Sequence, residues 1–165
     1  MTTRRIIELP DHRLREVSER VDIFDTQLQR LIDDLLATLS AHGGIGLCAP
    51  QIGTLKRVAV IHVPGDNYGQ QVYINPEILA SARRGFVEES CLSVPGIVGN
   101  VFRATQVHVR AQNSEGEFFE QEVDGMHAVC LQHEIDHLDG KLFIDRLSWL
   151  KKLRLKMAAR ATEAA

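Results

Sequence analysis

The sequence lacks the features that mark membrane, secreted and DNA-binding proteins. None of its apolar runs approaches the roughly 18 residues that a membrane-spanning helix needs. The opening stretch MTTRRIIELP has no apolar signal segment, and the three cysteines are too widely spaced for a disulfide framework. The 19 basic and 22 acidic residues nearly balance, so the chain has no excess of positive charge for DNA. We therefore expect a cytoplasmic protein with no membrane or DNA partner.

What is present is enough apolar material for one core. The chain has 165 residues, of which 44% are hydrophobic, and we expect a single domain over residues 1–165. The stretch TQLQRLIDDLLATLSAHGG repeats leucine and isoleucine at helical spacing, with Asp25 as N-cap and Gly43-Gly44 as the end. The following IGLCAPQIG is interrupted by glycine and proline, which favours a loop or an irregular extended segment.

The middle of the chain is typical of β-structure. KRVAVIHVP predicts a buried strand, and VYINPEIL predicts a second strand that breaks at Pro76. From Gly85 to Gln121 alternating residues predict further strands, with NSEGE as a hairpin turn. Next, GMHAVCLQHEIDHLDG predicts a helix that ends at Gly140, and a last, basic helix is expected at about 148–163. The predicted fold is α+β, with mixed or antiparallel strands around a central helix and with N-terminal and C-terminal helices.

The central helix carries a pattern typical of metal hydrolases. His133 and His137 lie four residues apart, which on a helix places them about 40° apart around the axis and roughly 6 Å apart at Cβ. Glu134 follows the first histidine and completes an HExxH pattern, in which a metal lowers the pKa of water and the glutamate accepts its proton.

A catalytic metal usually takes three protein ligands, so the third must come from elsewhere in the chain. The metzincin pattern would place a histidine where the chain has Phe143, and Glu163 lies almost at the terminus. The three cysteines remain as candidates. Cys130 shares the helical face of His133 but has apolar neighbours typical of a core thiol, Cys48 stands where any small residue would serve, and Cys91 lies in the polar stretch EESCLSVPG.

Three segments together resemble the motifs of peptide deformylases, and the similarity covers almost the whole chain. They are GIGLCAPQ at 44–51, ESCLS at 89–93 and QHEIDH at 132–137. The resemblance implies Cys91, His133 and His137 as ligands of one divalent metal, most often Fe(II), with zinc, nickel or cobalt as alternatives. It implies removal of the formyl group from the formyl-methionine of nascent polypeptides.

The resemblance also assigns roles to the remaining motif residues. Glu134 becomes the base, and the side-chain amide of Gln51 and the backbone N–H of Leu92 become the donors to the oxyanion. Water is then the nucleophile and Cys91 a ligand. From the residues themselves, Gly44 and Gly46 either let an extended peptide approach the backbone or simply connect a helix to a strand, and Ile45, with Val129 and Cys130, is a candidate wall for a methionine side chain. Ser90 is the third candidate substrate-binding residue.

The chain departs from the deformylase pattern at three positions. Ser90 replaces the usual glycine, Gly43 replaces an acidic residue, and Cys48 replaces alanine. Because Ser would be strained if its φ had to be positive, these changes leave open a deformylase-like protein with weak or altered activity. Two further alternatives are a zinc peptidase and a ribosome-associated binder without turnover. The basic stretch KKLRLKMAAR, by the same resemblance, indicates contact with ribosomal RNA.

Overall fold

An antiparallel sheet of five strands, each paired with the next along the chain, is the framework of the molecule. The computed structural model describes residues 2–153. Its strands are β1 (Gly46–Cys48), β2 (Val58–Ile61), β3 (Gln71–Cys91), β4 (Val94–Gln112) and β5 (Phe118–Asp124). Its helices are α1 (Thr26–His42) and α2 (Gly125–Leu138), with short 3₁₀ turns at His12–Arg15, Ala49–Ile52 and Phe143–Arg146. The predicted α+β class is confirmed.

Helix α1 forms as its sequence predicts. The side chain of Asp25 accepts hydrogen bonds from the backbone N–H groups of Gln27 and Leu28 at 2.9 and 3.0 Å, and Gly43 ends the helix with a φ of 64°. Its apolar stripe packs against the core beside β1 and β2 through Leu28, Ile32, Leu35 and Leu39. Burying each such side chain contributes about 1.5–3 kcal/mol, so tertiary packing holds this helix in place.

The segment after α1 is more regular than its glycines and proline predict. Residues 46–48 form β1, which pairs with β2, and Ala49–Ile52 form a 3₁₀ turn. Of the predicted loop or irregular extended segment, residues 46–48 are thus extended, but their regular pairing and the 3₁₀ turn were not predicted. Pro50 is tolerated because it sits in the first turn of the 3₁₀ segment, where a backbone N–H would have no helical partner.

The break predicted at Pro76 is a shift in register, and β3 continues beyond it. The pairing of β3 with β4 shifts register between Ile74 and Glu77, and Asn75 has a φ of 51° there. A proline at such an irregularity removes no ladder hydrogen bond that the sheet needs. Beyond this point β3 leaves β2 and continues with β4 alone as a long ribbon, which carries Cys91 at its tip.

Helix α2 crosses the sheet and packs against β1, β2, β4 and β5. It ends at Leu138, and Gly140 follows with a φ of 70°. A Cβ on Gly140 would lie 2.5 Å from the carbonyl oxygen of Arg15, so only glycine fits where the chain turns against the N-terminal segment. The predicted end of the histidine-bearing helix is confirmed.

The predicted basic helix falls mostly outside the described residues. Residues 149–153 are helical, whereas residues 154–165 lie beyond the described range. Among residues 2–153, no helix is both long and apolar enough to cross a membrane.

Candidate active site

Helix α2 places its polar residues in the interior. His133, Glu134 and His137 are all buried, and their neighbours Val129, Leu131 and Leu138 pack in the same interior. A helix buried on most of its surface is normally apolar, because an unpaired polar group in the interior costs about 1–3 kcal/mol. These side chains therefore require partners from other elements.

The tip of the β3–β4 ribbon brings Cys91 to the two histidines. The ligand atoms of Cys91, His133 and His137 all lie within 4.8 Å of one another, and Cys91 Sγ is 3.2 Å from His137 Nε2. In a tetrahedral site with zinc-like bond lengths, sulfur and nitrogen ligands stand about 3.5 Å apart. The spacing and the Cys/His/His donor set thus fit one divalent ion.

The two histidines differ in their electrostatics. Burial lowers the pKa of His137 well below its usual range, so its imidazole is neutral and offers a lone pair. Burial also opposes charge on His133, but hydrogen bonds with Cys91 and Glu89 outweigh it and raise the pKa of His133 to about 10.

Glu134 lies beside these ligands with one oxygen free. Its Oε2 is buried and has no hydrogen-bond partner among the described residues, and burial raises the pKa of its carboxyl group. On the other side, a Cβ on Gly46 would lie 2.6 Å from Glu134 Oε1 and 2.4 Å from Cys130 Sγ. Strand β1 reaches the carboxylate this closely only because residue 46 is glycine.

Gln51 points its amide nitrogen toward the same centre. Its Oε1 accepts a hydrogen bond from the backbone N–H of Cys48 at 2.9 Å, which leaves Nε2 facing Cys91 Sγ at 3.7 Å and Ser93 Oγ at 3.3 Å. Leu92 is half-buried and follows Cys91 in the turn between β3 and β4. Both predicted oxyanion donors thus belong to residues next to the cysteine.

A cavity of about 860 Å³ opens onto these groups. The predicted substrate-binding residues Ile45, Gly46 and Ser90 all line it, as do Met126, Val129 and Cys130. A second cavity of about 620 Å³, between α1 and residues 20–25, contains none of the predicted metal ligands. The first cavity is therefore lined both by predicted metal-site residues and by the apolar side chains predicted to contact substrate.

The other two cysteines take structural positions. Cys48 is fully buried and its thiol lies 3.2 Å from Gln51 Oε1. Cys130 is 5% exposed and packs in the core formed by β4, β5 and α2. Phe143, which stands where a metzincin would have its third histidine, is buried and stacks on His133 with ring centroids 6.0 Å apart.

The three departures from the pattern leave the geometry intact. Ser90 pairs with Val98 in the ladder, and only Asn75 and Arg83 have a positive φ among the described non-glycine residues, so Ser90 is unstrained. Gly43 serves as the C-cap of α1. Cys48 fits with zero exposure in the place of a smaller residue.

Sequence reasoning gave no role to a set of buried charges behind the metal ligands. Glu89 accepts from His133 Nδ1 at 2.8 Å, and Arg103 joins Glu89 to Asp136. Burial alone would raise the pKa of Glu89, but the hydrogen bonds from His133 and Arg103 lower it to about 2. One signal was available: Arg103 stands two positions after Val101 on β4, so the arginine shares the inward face of the strand with that valine.

Known proteins resemble this chain over nearly its full length. A family model described as polypeptide deformylase matches residues 3–153. Curated proteins named peptide deformylase from Chromobacterium violaceum and Hahella chejuensis are 42% and 45% identical, covering 99% and 94% of this chain and 98% and 94% of their own lengths. A crystal structure of a peptide deformylase from Legionella pneumophila superposes with a TM-score of 0.89 at 45% identity, covering 99% of this chain and 96% of its own.

Proposed function

The chain belongs to the polypeptide deformylase family, a family of metalloenzymes, and we propose that its Cys91, His133 and His137 hold the catalytic metal ion. As a deformylase it hydrolyses the N-formyl group of formyl-methionine at the start of nascent polypeptides. The observation that carries the assignment is the convergence of one thiol and two imidazoles next to a buried carboxylate, beside a cavity that Cys91, His133 and Glu134 line.

The metal is Fe(II) in this proposal, with zinc, nickel or cobalt able to occupy the same donors. A divalent ion held by Cys91, His133 and His137 would supply Lewis acidity, which lowers the pKa of water and polarises a carbonyl oxygen. The thiolate of Cys91 makes the donor set softer than three imidazoles would, which suits Fe(II) but exposes the sulfur to oxidation.

The residues around the ion divide the proton transfers and the charge stabilisation. Glu134 takes the proton of the attacking water and returns it to the leaving amine, a role that its unpartnered Oε2 supports. The oxyanion of the tetrahedral intermediate accepts hydrogen bonds from Gln51 Nε2 and from the backbone N–H of Leu92. One such donor is worth about 3 kcal/mol of transition-state stabilisation.

The substrate lies extended across the same cavity. Its backbone passes β1 at Gly46 and the outer end of β3 at Ser90, two strand edges that line the cavity. The methionine side chain enters the apolar part lined by Ile45, Val129 and Cys130. The formyl carbon then faces Glu134.

The test is formate release from a formyl-Met tripeptide by protein prepared anaerobically and loaded with Fe(II) or Ni(II). Glu134→Ala should keep the metal but lower the rate by about 10²- to 10⁴-fold, because general acid–base catalysis is lost. Glu88→Ala is the matched control: this exposed glutamate lines the same cavity, and its removal should preserve most of the activity.

The ligand set is tested separately by metal content. Cys91→Ala should lose the metal, whereas Cys130→Ala should keep it. If Cys91→Ala bound the ion as tightly as the unmodified protein and Cys130→Ala did not, the assignment would be wrong. Cleavage of internal peptide bonds would instead favour a zinc peptidase. One metal ion per chain without formate release would favour the ribosome-associated binder without turnover, and Ser90 and Gly43 would then be the positions to examine.

We further propose that the chain acts in the cytoplasm as one metallohydrolase domain whose basic C-terminal segment contacts ribosomal RNA. Five cations fall within ten residues of an otherwise slightly acidic chain: Lys151, Lys152, Arg154, Lys156 and Arg160. Replacing the first four with glutamate should abolish ribosome co-sedimentation at low salt, because such contacts are electrostatic. Co-sedimentation that survives the replacement would contradict the proposal.

A further inference from the structure

A continuous set of buried charges connects the metal-binding helix with the strand that carries the cysteine. Arg103 of β4 donates from Nε and Nη2 to the two carboxylate oxygens of Glu89, at 2.7 and 3.0 Å. Its Nη1 donates to Asp136 Oδ2 at 2.6 Å. The side chains of Arg103, Glu89 and Asp136 are only 2%, 5% and 7% exposed. All three donor nitrogens of the guanidinium are thus used within the interior.

The set continues to the surface on one side and to the metal site on the other. Arg146 donates from Nε and Nη2 to the two oxygens of Asp136, both at 2.5 Å, and its side chain is 43% exposed. Glu89 Oε2 lies 2.8 Å from His133 Nδ1. Two carboxylates and two guanidiniums balance in charge, so the set is neutral as a whole.

Glu89 decides which nitrogen of His133 is free. A carboxylate only accepts hydrogen bonds, so Nδ1 must carry the proton that it receives, and Nε2 keeps its lone pair for a cation. The paired donors of Arg103 fix the plane of that carboxylate, since a bidentate guanidinium pair has a defined geometry. Lysine would retain the charge but not the plane.

The position of these partners gives Arg103 a second effect. Glu89 stands two residues before Cys91 on β3, and Asp136 stands between the two histidines on α2. By holding both carboxylates, one guanidinium ties the cysteine-bearing strand to the histidine-bearing helix. The spacing between the three proposed ligands therefore depends on Arg103, although it contacts none of them.

We propose that Arg103 is a positioning residue for the metal centre, which sets the orientation of His133 and the spacing of β3 from α2. This inference rests on the proposed function, because it presupposes that His133 and Cys91 bind the metal. It assigns Asp136 and Arg146 as supports of Arg103, with Arg146 contributing least because it is half-exposed.

The experiment measures cobalt binding, which reports the site without depending on turnover. Dissociation constants for Co(II) are obtained by chelator competition, and the visible d–d spectrum reports the ligand geometry. Arg103→Lys should weaken Co(II) binding by about 10- to 100-fold and change the spectrum, as is typical when an outer partner of a ligand is lost. Glu89→Gln should change the spectrum as well, and Arg146→Lys should have the smallest effect.

Arg110→Lys is the matched control, since Arg110 lies on the same strand and pairs with Glu77 on the surface. It should leave both readouts unchanged. The proposal is overturned if a folded Arg103→Lys protein, judged by circular dichroism and a cooperative melt, binds Co(II) with unchanged affinity and spectrum. If that variant does not fold, unchanged affinity and spectrum in folded Glu89→Gln overturn it equally.

Failure of the ligand assignment would look different. In that case the unmodified protein would lack a thiolate-to-cobalt charge-transfer band, or Cys91→Ala would keep it. Loss of the band in Cys91→Ala with an unaltered Arg103→Lys protein would instead reject only the positioning role.

Discussion

The two helices of this protein bury different kinds of side chain. Helix α1 turns an aliphatic stripe into the core, whereas α2 buries two metal-site histidines, Glu134 and Asp136 among its apolar residues. An aliphatic stripe needs only an apolar surface of suitable shape to pack on. A buried charge or imidazole needs a specific partner at hydrogen-bond distance.

The partners of α2 accordingly come from distant parts of the chain. His133 is paired with Glu89 of β3, Asp136 with Arg103 of β4, and His127 with Asp66 of the loop between β2 and β3. Helix α1 shows no comparable buried ion pair among residues 2–153. Helix α1 therefore stabilises the fold through apolar packing, whereas the polar residues of α2 form a site only together with residues from distant strands and loops.

The strongest test of this contrast removes packing from α1. Leu35 is fully buried, and Leu35→Ala should lower the free energy of unfolding by about 2–5 kcal/mol, from lost burial and the remaining cavity. The formate-release rate per folded molecule should stay close to that of the parent. Urea denaturation and activity assays on the same samples measure both. A folded variant with strongly reduced turnover would show that α1 also shapes the site.

The next test adds a methyl group on β1 that presses against α2, while every side chain of α2 is kept. In Gly46→Ala the new methyl would meet Cys130 Sγ at 2.4 Å and Glu134 Oε1 at 2.6 Å, so β1 and the carboxylate must move apart. Displacing a catalytic group by about 1 Å can cost on the order of 10²-fold in rate. Steady-state formate release measures the loss.

Gly85→Ala provides the control for that substitution. Gly85 lies on β3 and has no positive φ, and a Cβ added there would meet no other atom within 4 Å, so alanine fits. Its activity should match the parent protein. Equal activity of Gly46→Ala and Gly85→Ala would mean that the approach of β1 to Glu134 is unimportant for catalysis.

The smallest expected effect concerns the start of α1. Asp25→Ala removes the acceptor for two backbone N–H groups and should lower stability by about 1 kcal/mol. Asp25→Asn should restore most of it, because asparagine also caps helices well. Thermal melts compare the three proteins. Identical melting temperatures would indicate that packing alone holds the first turn of α1.

Much of the fold was predictable because its signals are local. The N-cap at Asp25, the aliphatic spacing of α1, the turn NSEGE and the glycine after α2 each act within a few residues of themselves. Two local predictions were met only in part: residues 46–48 form a regular strand and not an irregular segment, and β3 continues past Pro76 with a shift in register. In both places the proline sits where no sheet hydrogen bond requires its missing N–H.

The motif residues themselves were also recognisable from the chain alone. The spacing of His133 and His137 follows from helical geometry, and the resemblance to deformylases pointed to Cys91 and Gln51. What spacing could not decide was which cysteine joins the histidines. Cys130 has the better helical position, yet the structure places its thiol in the core and brings Cys91 from a strand tip.

By itself, then, the sequence determined the helices, the turns and the two histidines on one helical face, because these depend on neighbours a few positions apart. The resemblance to deformylases named Cys91 as the third member of the Cys/His/His group, but only the tertiary structure brings it to the histidines and supplies the partners of the buried charges. Cys91 lies 42 positions before His133, and Arg103 lies 14 after Glu89 and 33 before Asp136. Contacts at such separations arise from the register of the β3–β4 ribbon and its packing on α2, which no local pattern encodes.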